Sequence, residues 1–222
     1  MGGLMSSDER MKTFGVSDYE SYWEQRLGSG HFQFTDVHRT IIKTAIDILG
    51  KRKARVLDCG VGPGHVFREL SRHYELYGIE LSEKVFELYD FSTERIAIWD
   101  LNGGLPPYRD TMDLVIAGRI VHHLTDPVAF VKNVRDVLAD DGWFMGVIPN
   151  ICYYHHRLKF LAGKFPPISR AHVNFQTGPD FEKMATSAGF ALYTLTTPKK
   201  TIRAKLWPTV FSQDLVYVFK KQ

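Results

Sequence analysis

The sequence predicts an α/β fold: a doubly wound, mostly parallel seven-stranded sheet with helices on both faces. Three observations carry this. Short apolar runs alternate with stretches of helical periodicity, the first run empties into a glycine-rich turn that opens a helix, and the next two runs end on acidic residues. With 222 residues, 44% hydrophobic and 24% charged, the chain is large enough for one core without disulfides or metals to hold it.

In chain order, Ser17 and Glu20 form a capping box that opens a short helix within an aromatic segment, and Tyr19 and Trp23 share one of its faces. From Asp36, the residues Val37, Ile41, Ile42, Ala45, Ile46 and Leu49 recur at helical spacing and stop at Gly50. Strands are predicted at 55–58, 76–80, 96–99, 113–117, 143–148, 191–195 and 215–219. Helices are predicted at 65–73, 83–89, 127–139 and 179–188. In a sheet of this kind ligands bind at the carboxyl ends of the strands, near the point where strand order reverses.

Composition removes several classes. The longest apolar stretches, such as 114–117, fall far short of the roughly 20 residues that cross a bilayer. The first ten residues lack an apolar segment after a basic start, so no secretory signal is read and a cytoplasmic location is expected. Cys59 and Cys152 are read as reduced and structural, and no metal-ligand set is read. The net charge of +3 is concentrated at 155–159 and 199–205. Such clusters suit a solvated basic face or an anion site, and are too small for a nucleic-acid surface.

The first predicted strand runs into Asp58-Cys59-Gly60-Val61-Gly62-Pro63-Gly64, a D-x-G-x-G-x-G turn. Glycine there permits positive φ and close approach of a ligand to the backbone. The G-x-G-x-x-G fingerprint of dinucleotide sites fails, because counting from Gly60 puts His65 at the third glycine and counting from Gly62 puts Phe67 there. Glu80 closes the second strand, where an acid binds ribose hydroxyls, followed by Leu81. Asp100 and Leu101 follow the third strand. After the fourth come Gly118-Arg119-Ile120-Val121-His122-His123-Leu124-Thr125-Asp126-Pro127.

Taken together, these segments resemble the class I S-adenosylmethionine-dependent methyltransferases of small-molecule or glycan-pathway type. The resemblance covers residues 55–149 and extends to Gly189-Phe190 before a later strand. It implies a Rossmann-like methyltransferase fold, S-adenosylmethionine as cofactor and S-adenosylhomocysteine as product. It further implies cofactor contacts at Asp58, Gly60, Gly62, Gly64, Glu80, Leu81, Asp100, Leu101 and Gly118, with Asp100 accepting from the adenine amino group. His122 departs from the pattern, since relatives frequently carry glutamate, so the resemblance gives no ground for an acid/base role at that position.

On this reading residues 1–222 form one domain, with 1–34 as an amino-terminal lid carrying Tyr19 and Trp23, and 150–178 as an acceptor-side insertion. Methyl transfer needs an acceptor lone pair held near about 3 to 3.5 Å from the methyl carbon, and a hydroxyl acceptor also needs a base. His123, His155, His156 and His172 are the candidates. The fourth strand lacks the Asn/Asp-Pro-Pro-aromatic run of nucleic-acid amino methyltransferases, which counts against bases as acceptors. A small molecule is expected, a sugar, nucleotide-sugar or related metabolite, with O-methylation slightly ahead of N-methylation. The alternatives are a catalytically silent cofactor-binding module and, against the glycine spacing, a nicotinamide-dependent oxidoreductase.

Overall fold

A computed structural model describes residues 33–108, 111–166 and 172–222. The predicted amino-terminal helix, with Tyr19 and Trp23, lies outside the described residues. Helix α1 (Asp36–Leu49) buries Val37, Ile41, Ala45 and Leu49, the stripe its periodicity predicts, and ends at Gly50 with φ 62°. Its first turn is closed by Thr35, whose N–H donates to His38 Nδ1 at 3.0 Å.

There follow β1 (Arg55–Cys59), α2 (His65–Leu70), β2 (Glu75–Glu80), β3 (Ile96–Ile98), β4 (Met112–Gly118), α3 (Pro127–Val137), β5 (Leu138–Pro149), α4 (Tyr154–Leu161), α5 (Gly178–Ser187), β6 (Phe190–Thr196), α6 (Ile202–Leu206), α7 (Pro208–Phe211) and β7 (Asp214–Lys221). The seven strands form one sheet in the order β3-β2-β1-β4-β5-β7-β6. β1 to β5 pair in parallel, and β7 runs antiparallel to both β5 and β6. Strand order therefore reverses between β1 and β4.

Period-two alternation places one core on each face of the sheet. Leu57, Val115, Ala117, Leu215, Tyr217 and Phe219 pack with Phe130 and Val134 of α3 and Phe181 of α5. Val56, Leu114, Ile116, Val216 and Val218 pack on the other side with Ile41 and Ala45 of α1 and Phe67 of α2. Both faces are covered, which is why β1, β4 and β7 read as near-continuous apolar runs.

Some boundaries differ from expectation. The predicted helix at 83–89 is a 3₁₀ stretch, Glu83–Leu88, whose start is capped by the Ser82 hydroxyl accepting from the Lys84 N–H. α3 stops at Val137, and β5 begins at Leu138, five residues before the predicted strand, because Leu138 already pairs with Met112. The irregularity that follows is accommodated at Asp141, which has φ 60°. Helix α4 buries none of its own side chains, so it has no apolar stripe to read, and α6 and α7 have five and four residues, below the length at which periodicity is visible. No helix among the described residues is long and apolar enough to cross a membrane.

Candidate functional site

The carboxyl ends of β1, β2, β3 and β4 lie along one end of the sheet on both sides of the reversal point, and the sequence-predicted residues Asp58, Gly60, Gly62, Gly64, Glu80, Leu81, Asp100, Leu101 and Gly118 all fall on these ends or the turns leaving them. The glycine turn is anchored to β2 by the Gly60 and Val61 N–H groups, which both donate to the Ile79 carbonyl, at 2.8 and 3.1 Å. Gly60, Gly62 and Gly64 have φ of 80°, 53° and 80°. This is the left-handed region that a Cβ disfavours, so the turn requires glycine on backbone grounds alone.

Glu80 is 3% exposed and ties the turn to the end of its own strand. Its Oε2 accepts from the Gly62 N–H and its Oε1 from the Leu81 N–H, each at 2.8 Å. The Gly62 carbonyl is held as well, accepting from the Tyr89 hydroxyl at 2.6 Å. Tyr89 stacks on Phe91, and Phe91 on Phe67, with ring centroids 4.6 and 5.3 Å apart. A Cβ at Gly64 would lie 2.7 Å from Phe91. Sequence reasoning did not find this aromatic support, since Tyr89 and Phe91 sit in a stretch whose packing direction no periodicity indicates.

Asp58 lies on the same face as Glu80 by strand alternation and is 3% exposed. Burial, and secondarily the neighbouring Glu80 charge, push its carboxyl up to about 8. Two residues past β3, Asp100 Oδ1 accepts from the backbone and side-chain amides of Asn102, at 2.9 and 3.0 Å, which turns the chain into the Leu101–Gly103 3₁₀ turn. Three carboxyl groups thus lie at or just past the ends of the adjacent strands β1, β2 and β3, and Glu80 is bonded to the glycine turn.

After β4 the chain leaves through Arg119, whose φ is 64°, and enters the turn Val121–His123. The Arg119 guanidinium pairs with Asp214 at 3.5 Å. His122 is 5% exposed, and burial, then His123, His172 and Arg119, hold its imidazole far below the usual range, so it is neutral near pH 7. Its ring centroid lies 4.2 Å from those of both His123 and His172, and His123 and His172 are 5.0 Å apart.

The structure therefore brings together two of the four predicted histidines and adds His122. The other two lie on α4. His155 is exposed against Tyr154, with ring centroids 4.1 Å apart, and His156 Nδ1 lies 3.2 Å from the Asn150 carbonyl. Asn150 is fully buried, its side-chain amide donating to the Thr209 and Ser212 carbonyls at 2.9 and 2.8 Å, and so fixes where α4 begins.

Strand order, the glycine turn and the strand-end carboxyl groups define a class I nucleotide-cofactor fold of methyltransferase type. The model of the family described as methyltransferase domain matches residues 30–195, well over half of the chain, and the protein belongs to that family. It is an S-adenosylmethionine-dependent methyltransferase, and the nicotinamide alternative falls with that membership.

Among curated proteins none matches the sequence. Among solved structures, the chain is similar to the 1,6-didemethyltoxoflavin-N1-methyltransferase of Burkholderia thailandensis with bound 1,6-didemethyltoxoflavin and S-adenosylhomocysteine. That match has a TM-score of 0.69 at 15% identity, covering 100% of this chain and 93% of that one. An S-adenosylmethionine-dependent methyltransferase of Mesorhizobium loti aligns with TM-score 0.59 at 18% identity, over 79% of this chain and 94% of that one. A TehB-like methyltransferase of Corynebacterium glutamicum aligns with TM-score 0.58 at 20% identity, over 92% and 96%. At these identities the likeness is one of fold.

Proposed function

We propose that the chain methylates a hydroxyl of a small metabolite of sugar or nucleotide-sugar type, with the cofactor lying across the carboxyl ends of β1 to β4. The residues there fit the cofactor's chemistry. The left-handed glycine turn lets a ligand approach the backbone; Glu80 and Asp100 supply acceptors for ribose hydroxyls and an adenine amine; Asp58 and Glu80 together favour a ligand of net positive charge. Oxygens that already accept one backbone N–H retain a further lone pair. When bound, S-adenosylmethionine supplies an electrophilic methyl on sulfur. The protein's own work is to hold the acceptor in line, exclude water and remove the hydroxyl proton.

The single observation that favours this acceptor class is a run of rings leading away from His172, together with cations on or against the α4 segment. His172 and Phe175 are tilted, and Phe175–Phe165 and Phe165–Phe160 meet edge to face, with centroids 6.4, 6.3 and 5.8 Å apart, and the three phenylalanines are exposed. Close by in sequence, Arg157 is on α4, and Lys199 Nζ lies 3.2 Å from the Tyr153 hydroxyl at the start of that helix. Rings that stack on a planar base or on the apolar face of a sugar, beside cations that meet phosphate, suit a nucleotide-sugar better than a neutral lipid-like molecule.

Transfer of labelled methyl to a panel of free sugars, nucleotide-sugars, phenols and amines tests the reading. Turnover confined to amines overturns it. With a hydroxyl acceptor, alanine at His123 or His172 is expected to lower kcat by roughly 10² to 10⁴ while the affinity for S-adenosylhomocysteine stays within error. Near-normal turnover in both variants removes the histidines from proton removal.

A further inference from the structure

We propose that His122, His123 and His172 form a binding site for one divalent transition-metal ion of the zinc or iron type, open towards the acceptor. Their candidate ligand nitrogens all lie within 4.8 Å of one another. A tetrahedral ion with metal–nitrogen distances of about 2.0 to 2.1 Å places its ligands about 3.4 Å apart, so modest side-chain rotation closes the set. The rings are inclined to one another by 43°, 69° and 82° rather than stacked, as donors converging from different directions must be.

His122 supplies an independent observation. The residue is 5% exposed, and among the described residues its buried Nδ1 has no hydrogen-bond partner. A buried polar atom in that state is costly and calls for an explanation, and an ion is one that the two neighbouring imidazoles make available. The third ligand arrives from far along the sequence but is firmly placed. The Val173 and Asn174 N–H groups both donate to the His122 carbonyl, at 2.9 and 3.2 Å, and the Asn174 side-chain amide donates to the Leu124 carbonyl. These bonds stitch the segment after His172 onto the turn that carries the other two histidines.

Three imidazoles with no carboxylate suit zinc, iron, cobalt or nickel and suit magnesium or calcium poorly. The nearby Arg119 charge opposes a cation, and its pairing with Asp214 offsets that opposition. Three protein ligands leave a fourth position for water or a substrate oxygen. The site follows β4 on the side where the acceptor is placed by the proposed function, and this role rests on that reading. A hydroxyl bound at the fourth position would lose its proton more readily, so that His123 and His172 would act on that proton through the ion they hold rather than as bases themselves, and a water at the mouth of the site would take it up. The oxygen then forms the new carbon–oxygen bond, and the sulfur keeps the electron pair of the broken carbon–sulfur bond.

The test uses untagged full-length protein, stripped with chelator and titrated with Zn²⁺ and separately with Co²⁺. Expected are one equivalent of tightly bound ion, a visible cobalt absorption of four-coordinate type, and at least a tenfold weakening in both His172→Ala and His123→Gln but not in His73→Ala. The affinity for S-adenosylhomocysteine, measured on the same samples, reports that each variant is folded. Absent or non-stoichiometric uptake in wild type, or uptake unchanged in both cluster variants, overturns the site. Metal uptake with transfer only to amines supports the site and overturns the hydroxyl reading, whereas hydroxyl transfer by metal-free protein that takes up no ion does the reverse.

Discussion

At the scale of single residues, Glu80 carries the most consequence, because the same carboxylate that would meet ribose also fixes the Gly62 and Leu81 amides. Glu80→Ala is expected to weaken cofactor binding by one to two decades, about 1.5 to 3 kcal/mol for a lost charge-assisted bond, in a protein that remains folded. Calorimetry with S-adenosylhomocysteine checks it, and unchanged affinity sinks the ribose assignment.

Asp58 yields a pH signature. Its carboxyl is raised from the usual carboxylate range to about 8 in the fold, so the native state holds this proton more tightly than the unfolded chain. The associated stability is fully present below the unfolded value and is lost as pH rises through about 8. Asp58→Asn should therefore gain in Tm relative to wild type as pH rises from about 4 to about 8. A cofactor of net positive charge should expel the proton, so wild-type affinity rises over the same interval while that of Asp58→Asn stays flat. Parallel Tm curves for the two proteins would contradict the raised carboxyl.

Among the elements, those that bury a periodic stripe were legible and those that do not were hidden. α1 and the strands on both sides of the reversal could be read because Val37, Ile41 and Ala45, or Leu114, Val115 and Ile116, must be apolar to be covered. The strand-end acids and the glycine turn were legible for another reason, since each sits at a fixed place relative to a readable strand. The histidine triad was not, because His172 is brought to His122 and His123 by bonds that its neighbours Val173 and Asn174 make to a turn about fifty residues away, and spacing in sequence carries no trace of that.

The pairing of α5 with β5 was equally silent. A Cβ at Gly146 would collide with the Phe181 ring, so that glycine is there for close approach and not for a turn. Gly146→Val is expected to cost about 1 to 3 kcal/mol in urea unfolding through overpacking, with S-adenosylhomocysteine affinity retained. An unchanged midpoint would show that Phe181 moves aside freely.

For the molecule as a whole, strand order has a consequence in time rather than in space. β7 comes last in the chain, yet it lies between β5 and β6 and is hydrogen-bonded to both along most of its length. A ribosome therefore exposes β6 before the strand that joins it to the sheet exists, and during that interval β5 presents an open edge with Phe144, Met145, Val147 and Ile148 alongside it. Leu215, Tyr217 and Phe219 then close one core while Val216 and Val218 close the other, so both faces wait for a single late event. Chains stalled before residue 214 should bind chaperones or aggregate, and chains long enough for β7 to leave the ribosome should acquire protease resistance in one step. Timed proteolysis of nascent chains of increasing length measures this, and stepwise protection appearing as β1 to β5 emerge would show that the parallel half stands by itself.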